Sequence, residues 1–385
     1  MQTTIYLHIG ESKTGTSIIQ NFLNVNREKL ANELGYLYPN FSSRSYDTGK
    51  CHNHVVWYGE TVNDDISKFL RDMNSMIQFC QRKEIPNVIM SNEGWLLNDN
   101  TTEVFKEFLS QNTNARIVII GYLRRIDSWI ESGWKQWGLK VYNTIEEYAD
   151  TPFVKYEFKK ILDHLKDWES LIGKENMIIR PYEKKQLQGG LIKDFLSQVG
   201  IAYEDYKWNQ TEDSNLAKNY GYNRDVLEIL HVCSELYANR HDVQLFNTFS
   251  DLLRDKFQKK PFEPYQLLSP QQRWSLIKEN RPYEQEIAKE YMGRPDGKIF
   301  HDPLPDPDED WEPYQGLTLE KAIPVLVEMI HQERKNVRQM NQRLIFLSNQ
   351  YKELSSKIQN QSEAGQSNLK LRSITKKLRS MIKKS

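Results

Sequence analysis

An α/β protein with a mostly parallel sheet flanked by helices is the architecture the sequence predicts, and three observations carry it. Apolar, β-rich runs recur at Thr4–Ile9, Asn87–Met90, Ile117–Leu123 and Met177–Arg180. Long helical patterns, Asp65–Arg82 and Thr102–Gln111 among them, lie between the runs, and strands that alternate with helices build parallel sheets covered on both faces. The first run stops at Gly10, turns through small and hydroxyl residues, and feeds an amphipathic segment from Ile18 to Leu34.

That first turn carries the most chemistry. A strand that ends in a glycine-bracketed loop and continues into a helix aims several backbone N–H groups and a positive helix end at one point, an anion cradle. In the usual nucleotide-hydrolase loop, G-x-x-x-x-G-K-[ST], the lysine follows the second glycine. Here Gly10 and Gly15 keep the spacing, but Lys13 precedes Gly15 and Thr16 stands where the lysine would be. The lysine therefore meets a phosphate from another side, and the hydroxyl that would hold magnesium loses its context. The expectation is a loop for a phosphorylated cofactor handled without a metal, although an ordinary strand-to-helix turn would account for the glycines alone.

The other strands also end in polar residues. Ser91, Asn92 and Glu93 follow the second run, Arg124 the third, and Tyr182 the fourth; the carboxyl edge is where open α/β sheets bind ligands. From about Gly200 the pattern turns helical and aromatic, through Phe246, Phe249, Phe257, Phe262, Tyr265 and Trp274. Core packing explains most such rings, and an acceptor cleft would use a few of them. The prolines of Asp302–Pro313 exclude a helix or central strand and mark a linker. Beyond it Ile330, Val337, Leu344, Tyr351 and Ile358 recur every seven residues, with Met340, Leu347 and Leu354 three positions after the middle members and Glu333 interrupting the first. This a/d seam predicts a coiled coil, hence a homo-oligomer, or a helix docked on its own body.

Composition narrows the class. The 385 residues carry 52 basic and 52 acidic side chains, a net charge of zero. The zero hides an asymmetry: from Leu369 onward there are seven basic residues and no acidic ones, so residues 1–368 carry a net −7. Leu371, Ile374, Leu378 and Met381 share a helical face among those bases, the pattern of an end that lies on anionic membranes, stays solvated or binds nucleic acid. No apolar run reaches the length of a membrane span, and the opening strand lacks the layout of a signal peptide. Cys51, Cys80 and Cys233 are too few and scattered for a disulfide framework. The expected location is cytoplasmic, with peripheral contact at the inner face of the cell membrane through the tail. The expected domains are 1–315, with a helical subregion at about 201–300, a coiled-coil helix at 320–362 and a basic tail at 363–385.

Lys13-Thr14-Gly15-Thr16-Ser17 resembles the loop with which sulfotransferases grip the 5′-phosphosulfate of 3′-phosphoadenosine 5′-phosphosulfate (PAPS). Val118 to Ser132, an apolar strand ending in Arg124 with a serine eight residues later, matches that family's 3′-phosphate site. Ile178-Ile-Arg180-Pro-Tyr182-Glu183, Leu191–Leu196 and Gly200 look like its later strand and helix. The likeness covers roughly residues 1–310 and is greatest to bacterial members with an opening like His8-Ile9-Gly10, Asn26-Arg27 and Gly35-Tyr36-Leu37-Tyr38-Pro39. It implies a P-loop sulfotransferase-like fold that moves a sulfuryl group from PAPS to a hydroxyl of a saccharide or glycolipid, with no metal. Lys13 would act on the leaving-group side. Gly10, Thr14, Gly15, Thr16 and Ser17 would cradle the 5′ end, Arg124 and Ser132 the 3′-phosphate, and Tyr182 would touch the nucleotide.

The general base stays open. His52 and His54, in Cys51-His-Asn-His54, offer imidazoles with an ordinary pKa near neutrality, and Glu93 sits just past the second strand. As a metal site that stretch lacks a partner pair with ligand spacing. Two other readings remain: a P-loop kinase-like phosphotransferase, against which the displaced lysine and the Arg124/Ser132 pair argue, and a non-catalytic scaffold, against which the intact Lys13, Arg124 and Ser132 argue.

Overall fold

A parallel strand buried on both faces must be apolar along its whole length, and Ile117–Leu123 obeys this, every residue from Ile117 to Leu123 being buried. The computed structural model describes residues 2–39, 62–97, 100–187, 189–209, 224–233 and 265–363. In chain order the elements begin β1 (Thr3–His8), α1 (Thr16–Val25), α2 (Arg27–Leu34), β2 (Tyr36–Leu37), α3 (Val62–Lys83) and β3 (Asn87–Ser91). There follow α4 (Thr101–Gln111), β4 (Ala115–Leu123), α5 (Ile126–Gln136), α6 (Ile145–Asp150), α7 (Pro152–Lys155), α8 (Glu157–Ile172) and β5 (Met177–Pro181). The chain continues with α9 (Leu191–Gln198), α10 (Arg224–Val232), α11 (Pro270–Met292) and α12 (Leu319–Glu363). Among the described residues the five strands form one all-parallel sheet in the order β2-β3-β1-β4-β5. The α/β expectation is met, and the four runs read from the sequence are β1, β3, β4 and β5.

The strand order reverses at β1, which pairs with β3 on one side and β4 on the other, Leu7 lying opposite both Met90 and Ile119. Such a switch point opens a crevice at the carboxyl ends of the two central strands. One face of the sheet packs Tyr6, Ile120 and Tyr122 against Ile19 and Leu23 of α1 and Phe195 of α9. Phe69 of α3, Phe105 of α4 and Trp168 of α8 make a second aromatic cluster, with ring centroids 5.7 Å and 5.6 Å from Phe105. The helix α11 starts where its sequence says it should: Ser269 caps the Gln272 N–H at 3.2 Å, the Gln272 side chain returns to the Ser269 N–H at 2.8 Å, and Pro270 fills the first turn.

The chain is organised in two compact units. One comprises Met1–Gly221, His231–Ala238 and Phe262–Gln315; the other comprises Tyr222–Leu230, Asn239–Pro261 and Gly316–Ser385. The start of the proline-rich segment is tied to the first unit. Glu183 accepts the backbone N–H groups of His301 (3.0 Å) and Asp302 (2.8 Å), and Arg125 donates to the carbonyl oxygens of Asp302 (3.3 Å) and Pro303 (3.0 Å). Among the described residues no helix is long and apolar enough to cross a membrane. His52, His54, Cys51, four of the aromatic residues (Phe246, Phe249, Phe257 and Phe262) and the basic tail lie outside the described residues.

The first unit buries an unusual set of charges. Asp127 is fully enclosed and accepts from Arg125 (2.8 and 2.9 Å) and from Arg273 of α11 (3.0 and 2.7 Å), a paired arrangement that keeps its pKa low against the cost of burial. Glu284 and Glu157 lack such partners. Burial, reinforced by Asp127 and opposed by Arg125 and Arg281, raises Glu284 to about 8. Burial raises Glu157 to about 7 against the pull of Lys160, whose ammonium is 3.4 Å away.

Carboxyls whose folded-state pKa exceeds the unfolded value give stability that is complete below about pH 4.5 and lost as pH rises through the folded value. The unfolding free energy should therefore fall by several kcal/mol between pH 5 and pH 9. Urea melts across that range would show the decline, and Glu284→Gln should flatten it; a curve that rises or stays level in the parent protein would contradict the burial argument.

Candidate active site

The loop between β1 and α1 is held from beneath by one carboxylate. Glu11 is buried, and its Oε2 accepts the backbone N–H of Arg124 at 2.9 Å, just where β4 ends. Its own N–H reaches the Tyr122 carbonyl at 3.3 Å, and the Thr14 hydroxyl donates to the Glu11 carbonyl, closing the turn. Lys13 takes a positive φ of 66° and Gly15 one of 83°, so the loop curls sharply into the first turn of α1. Burial, together with Glu157 and Glu284, raises Glu11 well above the usual carboxylate range, against the Arg124 N–H and guanidinium.

Arg124 ties the second strand end to this loop. Its Nη1 donates to the Lys13 carbonyl at 3.0 Å, and its guanidinium lies 5.9 Å from the centroid of the Tyr182 ring. Tyr182 in turn lies against Gly15, since a Cβ there would meet its Cε2 at 3.2 Å and Leu191 Cδ2 at 2.4 Å. Thus Lys13, Gly15, Arg124 and Tyr182, drawn from three strand ends, converge on the crevice at the switch point. Ser132 is half-buried on α5, four residues before Gln136, whose Oε1 receives the Lys13 ammonium at 2.6 Å. That spacing puts Ser132 and Gln136 on one helix face.

Cations and carboxylates share the crevice, Glu93 bearing on Lys13 and Glu11, Asp127 and Glu131 on Arg124. Burial is the largest cause of a lowered Lys13 pKa, and Arg124 and Lys135 push it down further while Glu93 opposes them. Arg124 is itself lowered by burial. Two cations brought together in a partly dry crevice each make the other's charged form costlier. The Lys135 ammonium also sits 4.4 Å above the ring of Tyr265, which brings one of the sequence's aromatic candidates to the rim.

Glu93 is delivered by β3. Ser91 is fastened at the strand end by His8 Nδ1 at 2.8 Å and by Gln20 Nε2 at 3.2 Å, and Asn92 Oδ1 accepts the Gly94 N–H at 2.8 Å to cap a short turn over Glu93–Trp95. Burial raises the Glu93 pKa, with Thr16 and Lys13 near enough to lower it in part. The Thr16 hydroxyl is buried beside Glu93. His8 is not a candidate acid or base, because burial drives it down to about 3 and keeps the imidazole neutral. The hydroxyls divide: Thr14 is spent inside the loop, Thr16 faces Glu93, and Ser17 is exposed. The backbone N–H groups and the α1 dipole are the donors left to the cradle.

Three side chains at the site escape motif reading: Glu11, Lys135 and Gln136. Only the helical period from Ser132 would have pointed to Gln136. Among the described residues no group of three or more His, Cys, Asp or Glu side chains could hold a metal ion.

The chain matches no family model. It is 34% identical over 116 residues to an uncharacterized protein of Archaeoglobus fulgidus, a stretch spanning 30% of this chain and 30% of that relative. Two solved structures to which it is similar are a sulfotransferase from Alicyclobacillus acidocaldarius and the sulfotransferase domain of the Synechococcus PCC 7002 olefin synthase. The first is 13% identical with a TM-score of 0.33, covering 63% of this chain and 98% of that one. The second is 11% identical with a TM-score of 0.31, covering 72% and 93%. At such scores the likenesses carry no argument, and the geometry of the strand ends has to stand by itself.

Gly15→Ala tests the cradle directly. An alanine at this left-handed position costs about 1–2 kcal/mol, and its Cβ would overlap Leu191 Cδ2 and displace Tyr182. Chemical denaturation should show a loss of about 2 kcal/mol or more, and calorimetry with inorganic pyrophosphate should show weakened binding; unchanged values of both would remove Gly15 from the site.

Proposed function

We propose that this protein is a sulfotransferase that carries a sulfuryl group from PAPS to a hydroxyl of a saccharide or glycolipid. The observation that carries the proposal is the bond from Arg124 Nη1 to the Lys13 carbonyl at 3.0 Å, with Tyr182 beside both residues, because it joins the two sequence segments suited to the two phosphate ends of one nucleotide. The crevice fits such a ligand on three counts. Gly10 and Gly15 let the loop pack closely on His8, Tyr182 and Leu191, Lys13 and Arg124 lie close enough for each charge to bear on the other, and the first turn of α1 opens at the same place. The saccharide class rests on the resemblance of the sequence.

PAPS supplies, when bound, an activated sulfuryl group and a nucleotide phosphate that takes up negative charge as it departs. In the proposed mechanism the Lys13 ammonium neutralises that charge, shifting from Gln136 Oε1 to the leaving oxygen. The backbone N–H groups at the start of α1 hold the 5′ end, and Arg124 and Ser132 take the 3′-phosphate. Positioning and electrostatics of this kind supply most of the catalysis in transfer between oxygens. Glu93 accepts the proton of the acceptor hydroxyl; its raised pKa brings the carboxylate nearer the working pH of a general base. His52 and His54 remain rival bases.

Lys13→Ala should reduce turnover about 10²-fold or more in a labelled-sulfate assay. Isothermal calorimetry should show that the parent protein prefers 3′-phosphoadenosine 5′-phosphate to AMP, and that Arg124→Ala loses the preference. If Arg124→Ala still discriminates, the 3′-phosphate is held elsewhere. Turnover that survives a chelator would separate this reading from a metal-dependent phosphotransferase.

The base is decided by a second set of variants. Glu93→Gln should keep nucleotide binding yet lose turnover and the acid limb of the pH profile, whereas His52→Ala and His54→Ala should keep both. Loss confined to one of the histidine variants would transfer the role to that imidazole.

A further inference from the structure

The helix α12 runs unbroken for 45 residues, about 67 Å, and carries its heptads further toward its start than the Ile330–Ile358 seam. Leu319, Ile323 and Leu326 continue the same a/d register through the first two turns, with Pro324 accommodated near the helix start. Eight apolar seam positions are between 42% and 73% exposed: these three, Ile330, Val337, Met340, Leu344 and Tyr351. A seam repeating every 3.5 residues is matched by another helix of the same repeat, and a second copy of this chain supplies one. Burying eight such side chains on each of two helices removes roughly 1,000–2,000 Å² from water, the size of a stable interface.

Charge decides the direction. In a parallel pair, each d residue faces its own counterpart, so Glu333 would meet the Glu333 of the second copy inside the seam. Two carboxylates in that position repel. An antiparallel pair sets d residues against a residues. With the two-fold axis passing between Arg338 and Gln339, Leu326 meets Tyr351, Ile330 meets Leu347, Val337 meets Met340, and Glu333 meets Leu344, each with its partner on the second copy. In this register every described a and d residue from Leu326 to Tyr351 finds a complement. Glu333 also comes beside Arg343 of the second copy, which occupies the flanking g position, so the interruption in the apolar pattern becomes an ion pair.

We propose that two copies of this chain join through α12 as an antiparallel coiled coil with Glu333 of each opposite Arg343 of the other. Ile345 and Phe346 are exposed outside this seam and take no part in it.

Light scattering of the full chain should give a dimer. Glu333→Arg and Arg343→Glu should each weaken it about tenfold, and the double variant should recover most of the loss. Orientation is read by disulfide trapping, with the parent protein on the same non-reducing gel to account for its three native cysteines. Leu326→Cys co-expressed with Tyr351→Cys should give a linked dimer, while neither variant should link to itself, because 25 residues of helix, about 37 Å, separate its two sulfurs in this register. Self-linking of either variant would establish a parallel pair and overturn the proposal. A monomer, or a dimer that none of the cysteines can trap, would overturn it as well. Circular dichroism of each variant separates weakened pairing from a helix that no longer forms.

Discussion

The peptide N–H of Arg124 is received by the buried Glu11, and the guanidinium of the same residue returns to the Lys13 carbonyl. This two-way tie spans β1 and β4 at the point where the strand order reverses. Without it the loop after β1 would be a surface turn with an exposed lysine. With it, the loop backbone is locked against the end of the strand most completely buried in the sheet, and the cradle inherits the stiffness of the core. Glu157 and Glu284 lie near enough to Glu11 to raise its pKa further, and Arg124 near enough to Lys13 to lower that of the ammonium. An anion arriving in the crevice meets a local field already set by the fold, with little reorganisation to undergo.

The paired and unpaired carboxyls of this region do different work. Asp127, gripped by Arg125 and Arg273, stays ionised and links α5 to α11. Glu157 and Glu284 retain protons near neutrality because desolvation exceeds the attraction of their neighbours. The ion pair therefore acts as a rigid post behind Arg124, and the protonated acids as polar filling that leaves the field in the crevice to the cations.

Much of this was legible in the residues. β1, β3, β4 and β5 were visible because buried parallel strands are continuous apolar runs, and the edge that gathers the candidate residues followed from where those runs stop. β2 was not, since two residues carry no period. Lys13, Gly15, Arg124 and Tyr182 were found by motif and are brought together; Glu93 was an open candidate and lies close enough to Lys13 to feel its charge, whereas His52 and His54 lie outside the described residues. Glu11 was missed because an acid in a polar loop looks solvated until packing encloses it, and Gln136 because a lone amide has no signature of its own. The early heptads of α12 were not read from the sequence, where the seam begins at Ile330 and Glu333 interrupts its first d position.

The chain that leads away toward α12 is fastened at Glu183 and at Arg125, which grip the backbone of His301 to Pro303. Each fastener is the immediate neighbour of a crevice residue, Glu183 of Tyr182 and Arg125 of Arg124. A pull on the segment beyond Pro303 is thus borne by two anchors rooted in β5 and at the start of α5. It would reach the ring and the guanidinium of the crevice only after those anchors had yielded, so the mooring works as a strain relief that lets whatever hangs on the long helix tug without disturbing the cradle.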